Sequence, residues 1–280
     1  MRKFIFISLL VGLLSPSLTF AEGSSFYNNH RTAMVNRKWS LQPIGWNAGI
    51  DGHIKVVENE NPATGQKIDL KKDTKNVEKE KALGINFAYE ATKRISVEFN
   101  MINVKHEGNL GVARIFKGKN YNADTKYKIK DNIFDLLMGY RLWHSMCQDG
   151  REKRHISWLT GVKASVMDFG MSGQVGAITE NTNYKKTLPI PYVGLEFGTF
   201  IGKMLYFKAS VRAMGLDISD YKANHIDYNL SLSYRLSGDD SLHDILMDVG
   251  YRSVAYDLDG KGNDIELEYS GPYIGFDMLF

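Results

Sequence analysis

The chain has 280 residues, 43% hydrophobic and 12% aromatic, and its 35 basic against 32 acidic residues leave a net charge of +3. With no long basic run, that balance excludes a nucleic-acid binder, and 26 glycines against 6 prolines exclude a collagen-like or disordered chain. A lone cysteine, Cys147 in the polar stretch MCQDGREKR, excludes an intramolecular disulfide framework and multi-cysteine metal sites, and reads as incidental.

The first element is not part of a fold. In MRKFIFISLLVGLLSPSLTFAEGSS, Arg2 and Lys3 precede an apolar run from Phe4 to Leu14, and Thr19 and Ala21 suit the positions before a cut. This is the layout of a secretory signal peptide over residues 1–21. Losing Arg2 and Lys3 leaves the processed chain close to neutral. Residues 22–38 are expected to be a periplasmic lead-in. No later stretch is long and apolar enough for a helical membrane span.

From Trp39 onward the dominant signal is alternation with the period of a β-strand. In the first strand Ile44, Trp46, Ala48, Ile50, Ile54 and Val56 oppose Gly45, Asn47, Gly49, Asp51, His53 and Lys55. The pattern returns at 83–90, 97–102, 134–142, 156–165, 193–198, 205–212, 226–236, 245–252 and 273–280. That predicts about ten strands, with about eight or twelve as counting alternatives. Short links follow the second, sixth and eighth strands, and a medium charged one follows the fourth. Longer polar links follow the first, third and fifth, and shorter polar ones the seventh and ninth, all read as loops.

A soluble sandwich would turn the apolar faces into a core, whereas a transmembrane barrel would turn them to lipid. Three features favour the barrel. Many strands approach the ~9–11 residues of a tilted crossing, longer than the ~5–6 usual in sandwiches. Aromatics such as Tyr89, Tyr140, Trp143, Trp158, Phe197, Phe207, Tyr234 and Phe280 gather near the short links, as interfacial girdles do. The polar faces carry full charges in mid-strand. The predicted fold is therefore all-β: a closed antiparallel transmembrane β-barrel over residues 39–280, with short periplasmic turns and longer outer loops.

On this register the lumen holds the acids Asp51, Glu90, Glu98, Asp135, Glu196, Asp227, Asp248 and Asp277. Facing them are the bases Lys55, Arg141, Lys163, Lys208, Arg212, Arg235 and Arg252. Such charges must pair with one another or with lumenal water. A barrel of this size should be narrow and largely filled.

The closing PYIGFDMLF resembles the assembly signal of bacterial outer-membrane barrel proteins, in which Tyr273, Gly275, Met278 and Phe280 fill the signal positions. Met278 departs from the pattern, which more often has an aromatic there. The resemblance implies the outer membrane as destination, and barrel-assembly machinery, membrane lipid and lipopolysaccharide as partners.

Sequence motifs for phosphate loops, zinc proteases, nucleophile elbows and haem attachment are absent, and neither cofactor nor metal is expected. The outward rim offers Asp51 and His53 early in the chain, then Asp168, Asp217, Asp220, His225 and Asp227. A His beside a carboxylate can act as an oriented general base. The strand count and this rim pairing are loosely similar to omptin-type outer-membrane proteases. Those need an aspartate pair facing a His-Asp pair, and Asp51 has no paired aspartate here. The third link holds Lys105, Arg114, Lys117, Lys119, Lys126 and Lys128 and would attract lipopolysaccharide phosphates. The expected function is a surface or structural barrel with ligand or lipopolysaccharide contact through its outer loops. The alternatives are a narrow channel for small polar solutes and a rim hydrolase.

Overall fold

The computed structural model describes residues 39–79, 81–92, 94–146, 152–201, 205–218, 221–236 and 244–280. The expected signal peptide, the lead-in, Cys147 and Asp220 lie outside the described residues.

Among the described residues, fifteen strands form one antiparallel sheet. β1 (Trp39–Trp46) and β2 (Gly49–Lys55) act as one broken staple, both pairing with β15 (Asn263–Leu279). The wall continues through β5 (Ala82–Glu90), β6 (Ile95–Leu110), β9 (Lys126–Met146), β10 (Glu152–Val175), β11 (Ile178–Ile201), β12 (Leu205–Ile218), β13 (Tyr221–Arg235) and β14 (Asp244–Gly260) back to β15. With β1 and β2 counted as one, ten strands close the ring. Closure runs to the last residue: Phe280 donates its N–H to the Trp39 carbonyl at 2.9 Å. No sheet edge is left there. Four small strands, β3 (Ile68–Asp69), β4 (Thr74–Lys79), β7 (Arg114–Phe116) and β8 (Lys119–Tyr121), decorate the upper end.

The strands exceed the sequence expectation. β10 and β11 have 24 residues each, where about 9–11 suffice for a tilted crossing. GMSGQVGAITENTNYKK is therefore not a loop. It is the top of a hairpin paired from Val175↔Ile178 downward, turned on Gly176 at φ 63°. Most of the link after the third strand is β6, the β7–β8 hairpin and β9. The link after the ninth strand is a tight hairpin at Lys261 and Gly262, φ 52° and 78°, the left-handed pair that two-residue turns need.

Alternation persists along these long strands, but the faces exchange polarity. On β15 the lower outward residues are Ile274 and Phe276, and the lower inward ones Gly275 and Asp277. Above Gly271 the outward residues are Glu268, Glu266 and Asp264, while Tyr269, Leu267 and Ile265 are buried inside. β9 does the same, with Phe134, Leu136 and Met138 outward below, and Lys130, Lys128 and Lys126 outward above. The outward amides of Asn103 and Asn132, 2.5 Å apart, mark the top of the apolar belt. Lipid outside demands apolar outward faces; water outside demands the reverse. The wall thus has a membrane-crossing lower part and an upper part that encloses a conventional core.

This overturns the first-strand register. Ile44, Trp46, Ala48, Ile50, Ile54 and Val56 face inward, while Asp51, His53 and Lys55 face out beside Glu268, Glu266 and Asp264. The lipid-facing residues of β1 are Trp39 and Leu41, paired toward Tyr89 and Met278. Most of the apolar run that suggested a lipid face belongs to the part above the membrane. The upper core includes Ile102, Val104, Ile129, Ile133, Met167, Phe169 and Met171. The β7–β8 hairpin folds into the mouth with Phe116 and Tyr121 fully buried. Phe116 packs edge-on to Phe169 at 5.0 Å, and Tyr121 donates to Thr182 Oγ1 at 2.5 Å.

Candidate functional site

Six consecutive strands each send one side chain or more to a common level inside the bore. They are Asp135 of β9, Lys163 of β10, Tyr192 of β11, Arg212 of β12, His225 and Asp227 of β13, and Arg252 of β14. The register makes this convergence unavoidable. Asp135 pairs with Lys163 and Arg212 with Asp227 across their ladders, and directly opposed residues share a face.

Asp227 is the hub. It accepts from Lys163 Nζ at 2.6 Å and from Arg252 at 2.8 and 3.3 Å, with Arg212 3.7 Å away. Arg212 also donates to Asp135 at 2.9 Å, which takes the Tyr192 hydroxyl at 2.5 Å on its other oxygen. The His225 tautomer follows from its partners: Nδ1–H donates to the Ala255 carbonyl at 3.0 Å, leaving Nε2 to accept from Lys163 at 3.0 Å. The Tyr192 ring lies under both Lys163 and Arg212, at 5.7 and 5.8 Å. Gly161 makes room for it, since a Cβ there would sit 2.6 Å from the Tyr192 hydroxyl. Lys163 is 0% exposed and Asp227 2%, so the cluster is a buried set of ions, three cations around two carboxylates.

A second polar layer lies lower in the bore. Asp248 accepts from Gln42 at 3.0 Å, Ser233 at 3.1 Å and Tyr273 at 3.4 Å. His155 approaches Glu196 at 3.5 Å and the Tyr206 hydroxyl at 3.4 Å. Lys208 interacts electrostatically with Glu196, Glu98 and Asp248. Arg235 and Asp277 face the same space, and Arg141 and Glu90 stand 3.8 Å apart near the lower end.

The catalytic candidates divide between the two sides of the wall. His225 and Asp227 are locked in the ion cluster. Asp51 and His53 stand on the outer face, where Lys71 pairs with Asp51 and His53 Nε2 lies 2.8 Å from Asp264. Lys55 shares that outer face, a correction to its lumenal placement. Asp168 pairs outside with Lys185 at 3.5 Å and Asp217 with Lys222 at 3.8 Å. Among the described residues these groups form no nucleophile–base pair open to a substrate, and no set of three potential metal ligands converges.

The basic outer residues are also engaged. Arg114 grips Asp73 through two bonds, at 3.0 and 2.5 Å. Lys119 pairs with Glu180, and Lys117 donates to the Asn183 carbonyl at 3.3 Å. They fasten the β7–β8 hairpin to its neighbours. On the adjacent outer wall, Lys128 at 2.5 Å and Lys105 at 3.1 Å hold the Glu107 carboxyl below its ordinary range.

Sequence reasoning missed Tyr192, His155, Tyr206 and Gln42. Extending the alternation of β11 two residues toward its start, through Gly194, would have placed Tyr192 inward. The same extension from Ser157 reaches His155, and Tyr206 already shared the polar face of its strand with Lys208 and Arg212; Gln42 was hidden by the reversed register of the first strand.

No protein-family model matches this chain, and no curated protein does. Among solved structures it is similar to the outer membrane protease OmpT from Escherichia coli, with a TM-score of 0.55 at 13% identity over 88% of this chain and 97% of that one. The outer membrane protein AlkL in lipid bilayers aligns over 94% of this chain and 96% of its own, at 14% identity, but its TM-score of 0.35 carries no argument. The first likeness shows a shared fold: this chain has the architecture of outer-membrane β-barrels.

Proposed function

We propose that the protein is a closed barrel of the bacterial outer membrane, reached after signal-peptide cleavage, that acts through its outer surface. The observation that carries this reading is the double filling of the bore: a buried ion cluster around Asp227, roofed by the apolar core and the β7–β8 hairpin. A continuous water path suited to a channel would need both to give way. A rim hydrolase would need one of its pairs to reach a substrate: His225 and Asp227 are buried, and Asp51 and His53 are engaged by Lys71 and Asp264.

The outer surface is suited to lipid and lipopolysaccharide. Lys126 and Lys130 project from β9 just above the belt and are exposed. At that height they meet the phosphates of the surrounding leaflet, which attract cations. This moves the proposed contact from Arg114, Lys117 and Lys119 to the outer face of β9. During biogenesis the Tyr273–Phe280 segment addresses the chain to the barrel-assembly machinery.

Planar-bilayer recording tests the reading. Purified protein should give no large, stable open level, and such a level in the wild type would refute the filled bore. Peptide cleavage that disappears in His225→Ala would favour the hydrolase. Lipopolysaccharide binding should weaken in Lys126→Glu/Lys130→Glu but persist in Lys117→Glu/Lys119→Glu; the opposite order would return the contact to the hairpin.

A further inference from the structure

The outer wall carries a shallow apolar groove of about 680 Å³. It follows one row of the ladder across five strands: Val97, Met138, Thr160, Val193 and Ala213, each the register partner of the next. The row below is bulkier, with Tyr140, Trp158 and Leu195 aligned. Apart from Met138, short side chains in one row and large ones beside it make a furrow.

At its Ala213 end the wall changes. Val193↔Ala213 is the last pair between β11 and β12. Yet β11 stays laddered to β10 up to Ile178, and β12 to β13 up to Ile218. Pro191 and Pro189 account for this. The β10 ladder runs through both without interruption, so the absent amide donors are those on the β12 side. The unladdered seam starts where the belt ends, since the next outward pair on β12 and β13 is Gly215 and Asn224. That height matters, because unsatisfied backbone groups are costly in hydrocarbon. At the seam the groove's lining includes Tyr192 and Met214, whose side chains pack together in the interior.

We propose that this groove seats one acyl chain of an outer-leaflet lipid, and that the seam lets the chain reach Tyr192 and Met214. The inference rests on the outer-membrane reading, which makes hydrocarbon the medium around the groove. The groove's polar side chains are already used. Thr160 Oγ1 donates to the Tyr192 carbonyl at 3.4 Å, and the Tyr192 hydroxyl is held by Asp135. A polar ligand would find no free side-chain group among these, only the open backbone of the seam. A peptide strand is poorly served too, because prolines blunt the β11 edge.

The test uses the full processed chain in nanodiscs containing a phospholipid with a photoactivatable diazirine on its acyl chain, with labelled residues mapped by mass spectrometry. Residues 191–193 and 213–215 should be labelled several-fold more than Leu41 and Phe276, lipid-facing residues of β1 and β15 across the ring. Ala213→Trp, which fills the furrow from outside, should abolish the excess. Gly215→Leu is the second variant, because a Cβ there meets only Asn224 Oδ1 at 3.5 Å. Heat-modifiable migration confirms folding of each. Even labelling around the belt, or an excess unchanged in both folded variants, overturns the site while leaving the barrel intact. A belt with no label at all, Leu41 and Phe276 included, overturns the membrane reading beneath it.

Discussion

Replacing Asp227 by alanine removes the one carboxylate shared by three buried cations. Lys163 at 2.6 Å and Arg252 at 2.8 Å have it as their ion-pair partner, whereas Arg212 keeps Asp135 at 2.9 Å. Two cations are therefore left without a counter-charge in a site that is almost fully buried. Breaking a buried pair from one side costs about 3–5 kcal/mol, because the surviving charge keeps its desolvation penalty. With a urea slope of about 1–3 kcal/mol per molar, the unfolding midpoint should fall by at least roughly 1 M. The assay is urea unfolding of protein refolded into lipid vesicles, followed by tryptophan fluorescence. Lys163→Met should cost less, since Asp227 keeps both arginines, and Lys163→Met/Asp227→Leu should recover part of the loss. An Asp227→Ala unfolding free energy within about 0.5 kcal/mol of wild type, the range of an inconsequential surface change, would refute the reasoning and mean that water solvates the cluster.

Other outcomes follow from the same geometry. Gly161→Val should push Tyr192 off Asp135, because a Cβ would also lie 2.5 Å from the Leu136 carbonyl; the expected loss is about 1–3 kcal/mol by vesicle unfolding. Pro189→Val/Pro191→Val restores two donors on the β12 side, so hydrogen exchange at Gly215 and Asp217 should slow; unchanged exchange would show that the prolines do not cause the seam. Phe280→Ala should leave the in-vitro unfolding free energy within about 1 kcal/mol of wild type while lowering outer-membrane yield in cells, and equal yields would remove its role in assembly. The Glu107 carboxyl, held low by Lys128 and Lys105, lends stability that is present above its ordinary pKa and lost as pH falls through the lowered one. Because the group is partly exposed the effect is small, and Glu107→Gln should flatten that acid limb.

Strand number and strand position were legible because alternation is local. Residues such as Phe134, Leu136 and Met138 against Asp135 and Gly139 report a two-sided wall wherever they sit. Most lumenal groups could be read the same way, since Lys163, Arg212, Asp227 and Arg252 each fall on the polar side of a lipid-facing strand. Strand one failed for a physical reason. Ile54 and Val56 alternate with His53 and Lys55 as cleanly as Phe276 and Met278 do with Gly275 and Asp277, yet their apolar sides look in opposite directions. Periodicity records that two faces differ, not which solvent each one meets.

The amino-acid order by itself thus determined the antiparallel wall, its count of about ten strands and the presence of opposite charges at mid-strand, all set by side-chain period and composition. It also carried, unread, the Pro189-Ile190-Pro191 mark of an unladdered edge. Only the tertiary structure decided where the wall leaves the membrane. That height depends on how far neighbouring strands continue to pair, and on an apolar interior assembled from residues as distant in sequence as Val56, Phe116 and Met171. Such contacts form only when the ring closes, and they separate Asp51 and His53 on the outside from His225 and Asp227 within.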